Sequence, residues 1–212
     1  MSRPGDVVVL NGVPRSGKSS IAAAVQDSFE GLWLNLGVDA FSAATPARSR
    51  PGIGLRPGGE RPDLEADVVR LYEGLFQAVA SLSGLGLGVV VDVGLHEAYS
   101  RPLGILERVT TRLKGTPAYL VGVRCPLEVI MARRDAGTAE GTEGYLTTSA
   151  DGSIPDPVVR WQEAVHIPGI YDVEVDTSVW SPERCAAAIG ARLRAGPPEA
   201  LDRLAARGGS GA

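Results

Sequence analysis

The sequence predicts an α/β fold with a parallel sheet covered on both faces, and three observations carry that prediction. Val7–Leu10, Gly88–Val93, Ala118–Val123 and Tyr171–Val175 are short, mostly apolar runs, as strands buried on both sides require. Helical patterns separate them, and alternation of strand and helix marks the α/β class. Finally, Gly12-Val13-Pro14-Arg15-Ser16-Gly17-Lys18-Ser19 joins the first run to the first helix with the spacing GxxxxGK[ST].

Taken in chain order, the first strand leads through that loop into a helix over Ser19–Phe29. Leu32–Val38 is a mixed run that reads as a further strand, giving a five-stranded sheet. Leu64, Val68, Leu71, Tyr72, Leu75, Phe76 and Val79 recur every three or four residues and predict one amphipathic helix. Ser100–Leu113 reads as another, with Ser100 as N-cap and Pro102 in the first turn. Helices over Pro126–Arg134, Asp156–His166 and Pro182–Arg194 complete the set. Together these make a single domain over residues 1–195.

Three stretches are irregular. Thr45–Pro62 holds four prolines, four glycines and four arginines (Arg48, Arg50, Arg56, Arg61), within a cap expected over residues 40–63. Its Gly58-Gly59 pair can turn a small hairpin. Ala136–Pro155 carries Gly137, Gly141, Gly144 and Gly152 and no basic residue; so long a loop is either a lid, over about 136–157, or disordered. Residues 196–212 read as a short polar helix with a Gly/Ser-rich end, a partly disordered tail.

Composition narrows the function. A chain of 212 residues can bury a proper core, and no apolar run approaches the roughly 20 residues that span a bilayer. The net charge of −4 gives no general attraction to nucleic acid or anionic membranes. Cys125 and Cys185 lack CxxC spacing, which argues against a disulfide framework or cysteine metal site. With no signal-peptide core at the start, the expectation is a cytoplasmic protein.

The chemistry begins at the glycine-rich loop. Its glycines let backbone N–H groups turn inward as an anion-binding nest, and the following helix adds the positive end of its dipole. Lys18, one of only two lysines, reaches the β/γ-phosphates as a mobile point charge, and Ser19 offers a hydroxyl to Mg²⁺. The expected nucleotide contacts are Gly12, Val13, Pro14, Arg15, Ser16, Gly17, Lys18, Ser19 and Ser20, around ATP or GTP. A guanine switch of the Asn-Lys-x-Asp kind is excluded, because the other lysine lies in Leu113-Lys114-Gly115-Thr116.

Two carboxylates follow apolar runs. Asp92 closes Gly88-Val89-Val90-Val91 and is either a magnesium ligand through its water shell or a turn aspartate. Asp39 closes Leu36-Gly37-Val38, at the strand edge where open parallel sheets bind ligands. It is either the general base that takes a proton from an acceptor hydroxyl or a helix cap. The cap arginines attract an anionic acceptor or are simply solvated, the commoner case for such runs. His96 follows the Asp92 strand and can touch substrate there; His166 and the tryptophans Trp33, Trp161 and Trp180 read as packing residues, and Cys125 as inert.

The order of these features resembles the chloramphenicol phosphotransferase family. The likeness rests on Leu10-Asn11-Gly12 entering the loop, Trp33 with Gly37-Val38-Asp39, the run ending at Asp92, Val121-Gly122-Val123-Arg124-Cys125, Val165-His166, and Tyr171-Asp172-Val173-Glu174-Val175-Asp176-Thr177. The resemblance implies a nucleoside-monophosphate-kinase-like P-loop fold with a mobile lid, and Asp39 as the base. It also implies that Arg133, in the helix after the fourth strand, neutralises charge on the transferred phosphoryl group; Arg134, next to it, points elsewhere on the helix and reads as solvated. The family's further basic lid residues are missing between Asp135 and Val159, which makes Arg160 the next arginine available to the lid.

The expected function is an O-phosphotransferase using ATP or GTP with Mg²⁺ to modify a small-molecule hydroxyl. The acceptor class the resemblance implies is an antibiotic, chloramphenicol-like or a nucleoside antibiotic such as capuramycin, which makes the role one of resistance. The alternatives are a metabolite or nucleoside kinase of the same fold, or a nucleotide-binding regulatory module without transferase activity.

Overall fold

Successive residues of a strand point to opposite faces, so strands that are apolar at every position need cover on both sides. The computed structural model, which describes residues 3–139 and 145–208, shows that arrangement. Strands β1 (Val7–Asn11), β2 (Trp33–Asn35), β3 (Gly88–Val93), β4 (Ala118–Arg124) and β5 (Val173–Asp176) form one parallel sheet in the order β2-β3-β1-β4-β5. Val7 and Val9 enter one core with Val89, Val91 and Leu120; Val8 and Leu10 enter the other with Val90, Val121 and Val175.

The first face is covered by α3 (Glu65–Gly84), α4 (Ile105–Arg112) and α8 (Ala200–Gly208), and the second by α1 (Lys18–Ser28) and α7 (Pro182–Ala195). Two further helices, α5 (Leu127–Ala139) and α6 (Asp156–Ala164), pack beyond the carboxyl ends of the strands. There Val13, Cys125, Ile130, Trp161 and Val165 make a third, smaller core. Among the described residues no helix is long and apolar enough to cross a membrane.

Several boundaries differ from the sequence reading, each for a local reason. The second strand stops at Asn35, and Val38 already belongs to α2 (Val38–Ala44), so Asp39 sits in a helical first turn rather than on a strand end. Ser100 caps nothing: its N–H and hydroxyl both go to the buried Glu65 carboxylate, and the helix waits for Gly104 at φ 64° before starting at Ile105. The Gly58-Gly59 turn forms, with φ 110° and 71°, but joins no pair of strands. Residues 136–139 continue α5 instead of opening the lid, and Gly141 and Gly144 fall outside the described residues.

The packed unit also runs past residue 195. Helix α8 docks through buried Ala200 and Leu204, and its N-terminus is capped by Asp172. One oxygen of that carboxylate accepts from the Glu199 and Ala200 amides at 2.7 and 3.2 Å and faces Arg192 at 3.2 Å. The other accepts from the Leu120 amide at 2.8 Å. One buried carboxylate thus ties β4, α7 and α8 together, a sequence-distant role that no local pattern announces.

Candidate active site

β1 is the central strand, so its carboxyl end delivers the glycine-rich loop to the middle of the cleft edge. The loop's glycines answer close approaches. A side chain on Gly12 would stand 2.7 Å from the Val123 carbonyl, and Gly17, at φ 92°, takes a left-handed turn that side chains resist. Helix α1 starts immediately after Gly17, which aims its first N–H groups at whatever the loop holds. Thr177, at the end of β5, donates to the Ser16 carbonyl at 2.7 Å and pins the loop from below.

Lys18 is 7% exposed, and its ammonium donates to the Val13 carbonyl at 2.9 Å and lies 3.4 Å from one Asp92 oxygen. The Ser19 hydroxyl donates to the other Asp92 oxygen at 2.8 Å. Asp92 therefore faces the loop from β3, the strand beside β1. A hydroxyl and a carboxylate side by side are the hard oxygen donors that Mg²⁺ prefers, so the residues present fit the ion. Among the described residues there is no cluster of three or more His, Cys, Asp or Glu side chains that could hold a metal.

Two cavities meet at the loop. One, of about 460 Å³, extends past Ser20, Arg133, Gly137, Thr177 and Trp180. The other, of about 420 Å³, runs between Asp39, Asp92, Arg56, Arg134, Ile53 and Trp161. Arg15, Lys18, Ser19 and Tyr145 line both. Asp39, Asp92, Lys18 and Ser19 thus share one cleft, as the sequence led us to expect. Gly37 makes the approach of Asp39 possible: a side chain there would meet the Asp92 Cβ at 2.9 Å and the Asp92 carbonyl at 3.0 Å.

The two adjacent arginines on α5 occupy different surroundings, and Arg134 departs from the sequence reading. Arg133 borders the first cavity, yet its guanidinium is tied to protein acceptors: the Arg15 carbonyl at 3.3 Å, and the Thr177 hydroxyl and carbonyl at 3.1 and 2.7 Å. Arg134, expected in solvent, is only 4% exposed and lines the second cavity. It donates to the Leu146 carbonyl at 3.3 Å, and its guanidinium lies 5.4 Å from the centre of the Tyr145 ring. Burial pulls its pKa below the usual arginine value, with the charges of Arg56 and Arg15 acting in the same direction. The Arg15 guanidinium covers the same ring at 5.1 Å, so Tyr145 stands between two cations at the junction of the cavities.

Other expectations divide. Of the four cap arginines only Arg56 lines the cleft; Arg61 pairs with Asp63, Arg50 donates to the Thr45 and Ala43 carbonyls, and Arg48 is exposed. Arg160 is exposed and lies against Gly58, away from both cavities. His96 is 1% exposed with Nε2 on the Leu55 carbonyl at 3.1 Å, a buried ring whose pKa burial lowers, and it does not line the cleft. His166 is hydrogen-bonded to the Tyr171 hydroxyl at 2.7 Å, as a packing residue would be. Sequence reasoning missed Trp161, Gly37 and Gly137 as site residues; Gly137 leaves the room that the Arg15 guanidinium fills.

Comparison with known proteins agrees with this geometry. A family model described as chloramphenicol phosphotransferase-like protein matches residues 5–194. A Mycobacterium tuberculosis (strain CDC 1551 / Oshkosh) protein that carries the provisional name O-phosphotransferase is 26% identical over 220 aligned residues, covering 96% of this chain and 89% of the relative. Among solved structures, the M. tuberculosis APS kinase in complex with AMPPNP and APS superposes with a TM-score of 0.60 at 17% identity, over 91% of this chain and 99% of that one. A Deinococcus radiodurans tunicamycin resistance protein does so with a TM-score of 0.57 at 16% identity, over 89% and 95%. At these identities the structural likeness establishes the shared P-loop kinase fold.

Proposed function

Since the chain belongs to the chloramphenicol phosphotransferase-like family, we propose that it moves the γ-phosphoryl group of ATP or GTP onto a hydroxyl of a small molecule. The observation that carries the reading is the cleft that sets Asp39 across from Lys18, Ser19 and Asp92. The nucleotide lies in the first cavity with its phosphates on the loop amides and Lys18. Ser19 and Asp92 would hold Mg²⁺, which when bound would supply positive charge to the donor phosphates.

The acceptor enters the second cavity. Asp39 takes the proton of its hydroxyl as that oxygen forms a bond to the γ-phosphorus, and the bond from phosphorus to the bridging β–γ oxygen breaks to release the nucleoside diphosphate. Arg15 and Arg134 flank the junction that the phosphoryl group crosses, where fixed cations stabilise charge most effectively. Arg133 acts on the other side, holding the loop to Thr177. Val38, Pro51, Ile53, Pro157, Val158 and Trp161 give the acceptor cavity a partly apolar wall, which suits an amphipathic drug-like molecule. An antibiotic is the acceptor class we propose, with resistance as the role; the fold shared with a tunicamycin resistance protein is in keeping with it.

A non-catalytic regulatory module has no need of a carboxylate in the cleft, so Asp39 is where the two readings part. In Asp39→Asn, nucleotide affinity should persist while phosphoryl transfer drops by about 10²- to 10⁴-fold. The check is mass gain of one phosphate on hydroxylated antibiotics beside nucleotide titration. Transfer at the wild-type rate in this variant would remove Asp39 from the chemistry.

A further inference from the structure

Positive charge gathers in the second cavity although the chain as a whole carries a net −4. Among the described residues, Arg15, Lys18, Arg56 and Arg134 line that cavity, and only Asp39 and Asp92 oppose them. Lys18 is answered by Asp92 at 3.4 Å. Arg15 also borders the first cavity, whereas Arg56 and Arg134 line the second alone. Asp39 is thus left facing more cations than it can balance. The guanidinium groups are near enough to act on one another: after burial, the charges of Arg56 and Arg15 help to hold the Arg134 pKa down.

Arg56 differs from the other cap arginines in being held at the cleft without a strong partner. Its segment is pinned on both sides. Leu55 is fully buried, with its carbonyl on the His96 Nε2 at 3.1 Å, and the Gly58 amide donates to the Ala98 carbonyl at 2.7 Å. The Arg56 side chain stays 31% exposed, and its ion pair is with the half-exposed Glu60 at 3.6 Å, a residue that does not line the cavity. An exposed pair of that kind contributes little, so the guanidinium can turn to a ligand at small cost. Its planar fork of N–H donors matches the paired oxygens of a carboxylate, phosphate or sulfate group.

We propose that Arg56, with Arg134 in the same cavity, seats an oxyanion carried by the acceptor, a carboxylate or a phosphate or sulfate ester, while Asp39 serves the acceptor's hydroxyl. The preferred substrates are then anionic alcohols with an apolar part for the Ile53 and Trp161 wall, rather than neutral alcohols. Arg56 is a specificity-determining residue on this reading, which rests on the second cavity being the acceptor cavity. A neutral acceptor of the same shape forgoes the charge-assisted hydrogen bonds and is discriminated against.

The test begins with full-length protein saturated with Mg²⁺ and a non-hydrolysable ATP analogue, so that the phosphate loop is filled. Calorimetric titration with sulfate, and separately with acetate, at constant ionic strength then probes the second cavity. The proposal expects saturable binding of at least one anion, weakened about tenfold or more in Arg56→Gln and unchanged in Arg48→Gln, with nucleotide affinity the same in all three proteins. Tighter sulfate marks an ester as the natural group, and tighter acetate a carboxylate. In transfer assays that pair hydroxy acids with their methyl esters, the acids should be preferred, and Arg56→Gln should lower kcat/KM for them by about ten- to hundredfold while leaving the esters alone. No saturable binding, or binding that Arg56→Gln leaves intact (an adventitious ion only), would overturn the proposal. So would transfer to neutral acceptors in preference to anionic ones, a result that leaves the transferase reading standing. If the anion binds through Arg56 while no acceptor of either kind gains phosphate, the anion site stands and the transferase reading falls.

Discussion

Gly37→Ala isolates the contact that brings the two carboxylates of the cleft together. The backbone at Gly37 is extended, with φ −95° and ψ −177°, so alanine adopts it without strain. Any effect must come from contact. The new methyl would sit 2.9 Å from the Asp92 Cβ and 3.0 Å from its carbonyl oxygen. Carbon atoms settle at about 3.5–4.0 Å, so the segment from β2 into α2 must retreat from β3 by about 0.6–1.1 Å. Because the obstacle is strand backbone rather than a flexible tip, relief by side-chain rotation is closed. Overpacking of this kind costs about 1–3 kcal/mol of stability. A displacement near 1 Å between reacting groups costs about 10²-fold in rate. Gly37→Ala should accordingly remain folded with a lowered melting temperature, bind nucleotide as the wild type does, and lose about two orders of magnitude in kcat. Thermal unfolding, nucleotide titration and steady-state transfer kinetics read the three in turn. Gly84→Ala is the control, since a side chain at the end of α3 would touch nothing within 4 Å; it should raise stability by up to about 1 kcal/mol and leave kcat alone. A Gly37→Ala enzyme with undiminished kcat would show that the close fit between Asp92 and the Asp39 segment has no part in the chemistry.

Further predictions concern the loop, the α8 clasp and pH. Lys18→Ala should abolish productive nucleotide use, with kcat down by about 10²- to 10³-fold and no loss of fold; wild-type turnover in that variant would refute the phosphate-loop assignment. Asp172→Ala leaves Arg192 and three backbone amides without their shared acceptor, a loss of about 3–4 kcal/mol by analogy with broken buried pairs. For a chain of this size that is roughly a 10 °C fall in melting temperature, measurable by calorimetry. His166 has its pKa lowered to about 4, first by burial and then by the Arg124 charge. The unfolded state, titrating near 6.5, binds the proton first, so this histidine's stabilising contribution is complete above about pH 6.5 and lost as pH falls towards 4. Allowing for its partial exposure, the loss is on the order of 2 kcal/mol. His166→Gln should flatten part of the stability-versus-pH slope in that window, with His96, shifted the same way, retaining the rest.

The sheet and the phosphate loop were legible because both are local signals. Continuous apolar runs can only be buried strands here, and Gly12 to Ser19 carries its spacing and its strand–helix setting in one segment. What escaped is what depends on the far side of a contact. Arg134 was read as solvated beside Arg133, yet it continues the buried stripe of α5 that Ile130 begins, four residues on; counting from the apolar positions would have placed it inside. Trp161 follows the same rule on α6, with Val158 and Val165 at helical spacing, and so looks like plain core. Only the structure shows that this stripe borders a cavity. Ser100 failed as a cap because Glu65, 35 residues away, outbids its own helix for both hydrogen bonds. The tail reading had the helix but not its docking, for a like reason, since the cap that holds α8 is Asp172.

If the proposed function holds, the charge arrangement gives a reason for nucleotide and metal ion to bind together. Before nucleotide arrives, Lys18 and Ser19 are both engaged by the one Asp92 carboxylate, which keeps a nearly buried ammonium from standing unpaired. A triphosphate alone takes Lys18 to its own oxygens and leaves Asp92 facing anions at short range, a repulsion that the low local dielectric strengthens. With a divalent cation bound, the exchange would balance: Lys18 would serve the phosphates, Ser19 would hold the cation, and Asp92 would keep a positive neighbour. Asp39, exposed across the cleft in the first turn of α2, takes no part in that exchange and remains an available acceptor for a proton. On the proposed reading, one carboxylate would be engaged in every state of the donor site and the other in none, a division that would let one cleft bind a tetra-anion and still hold a base.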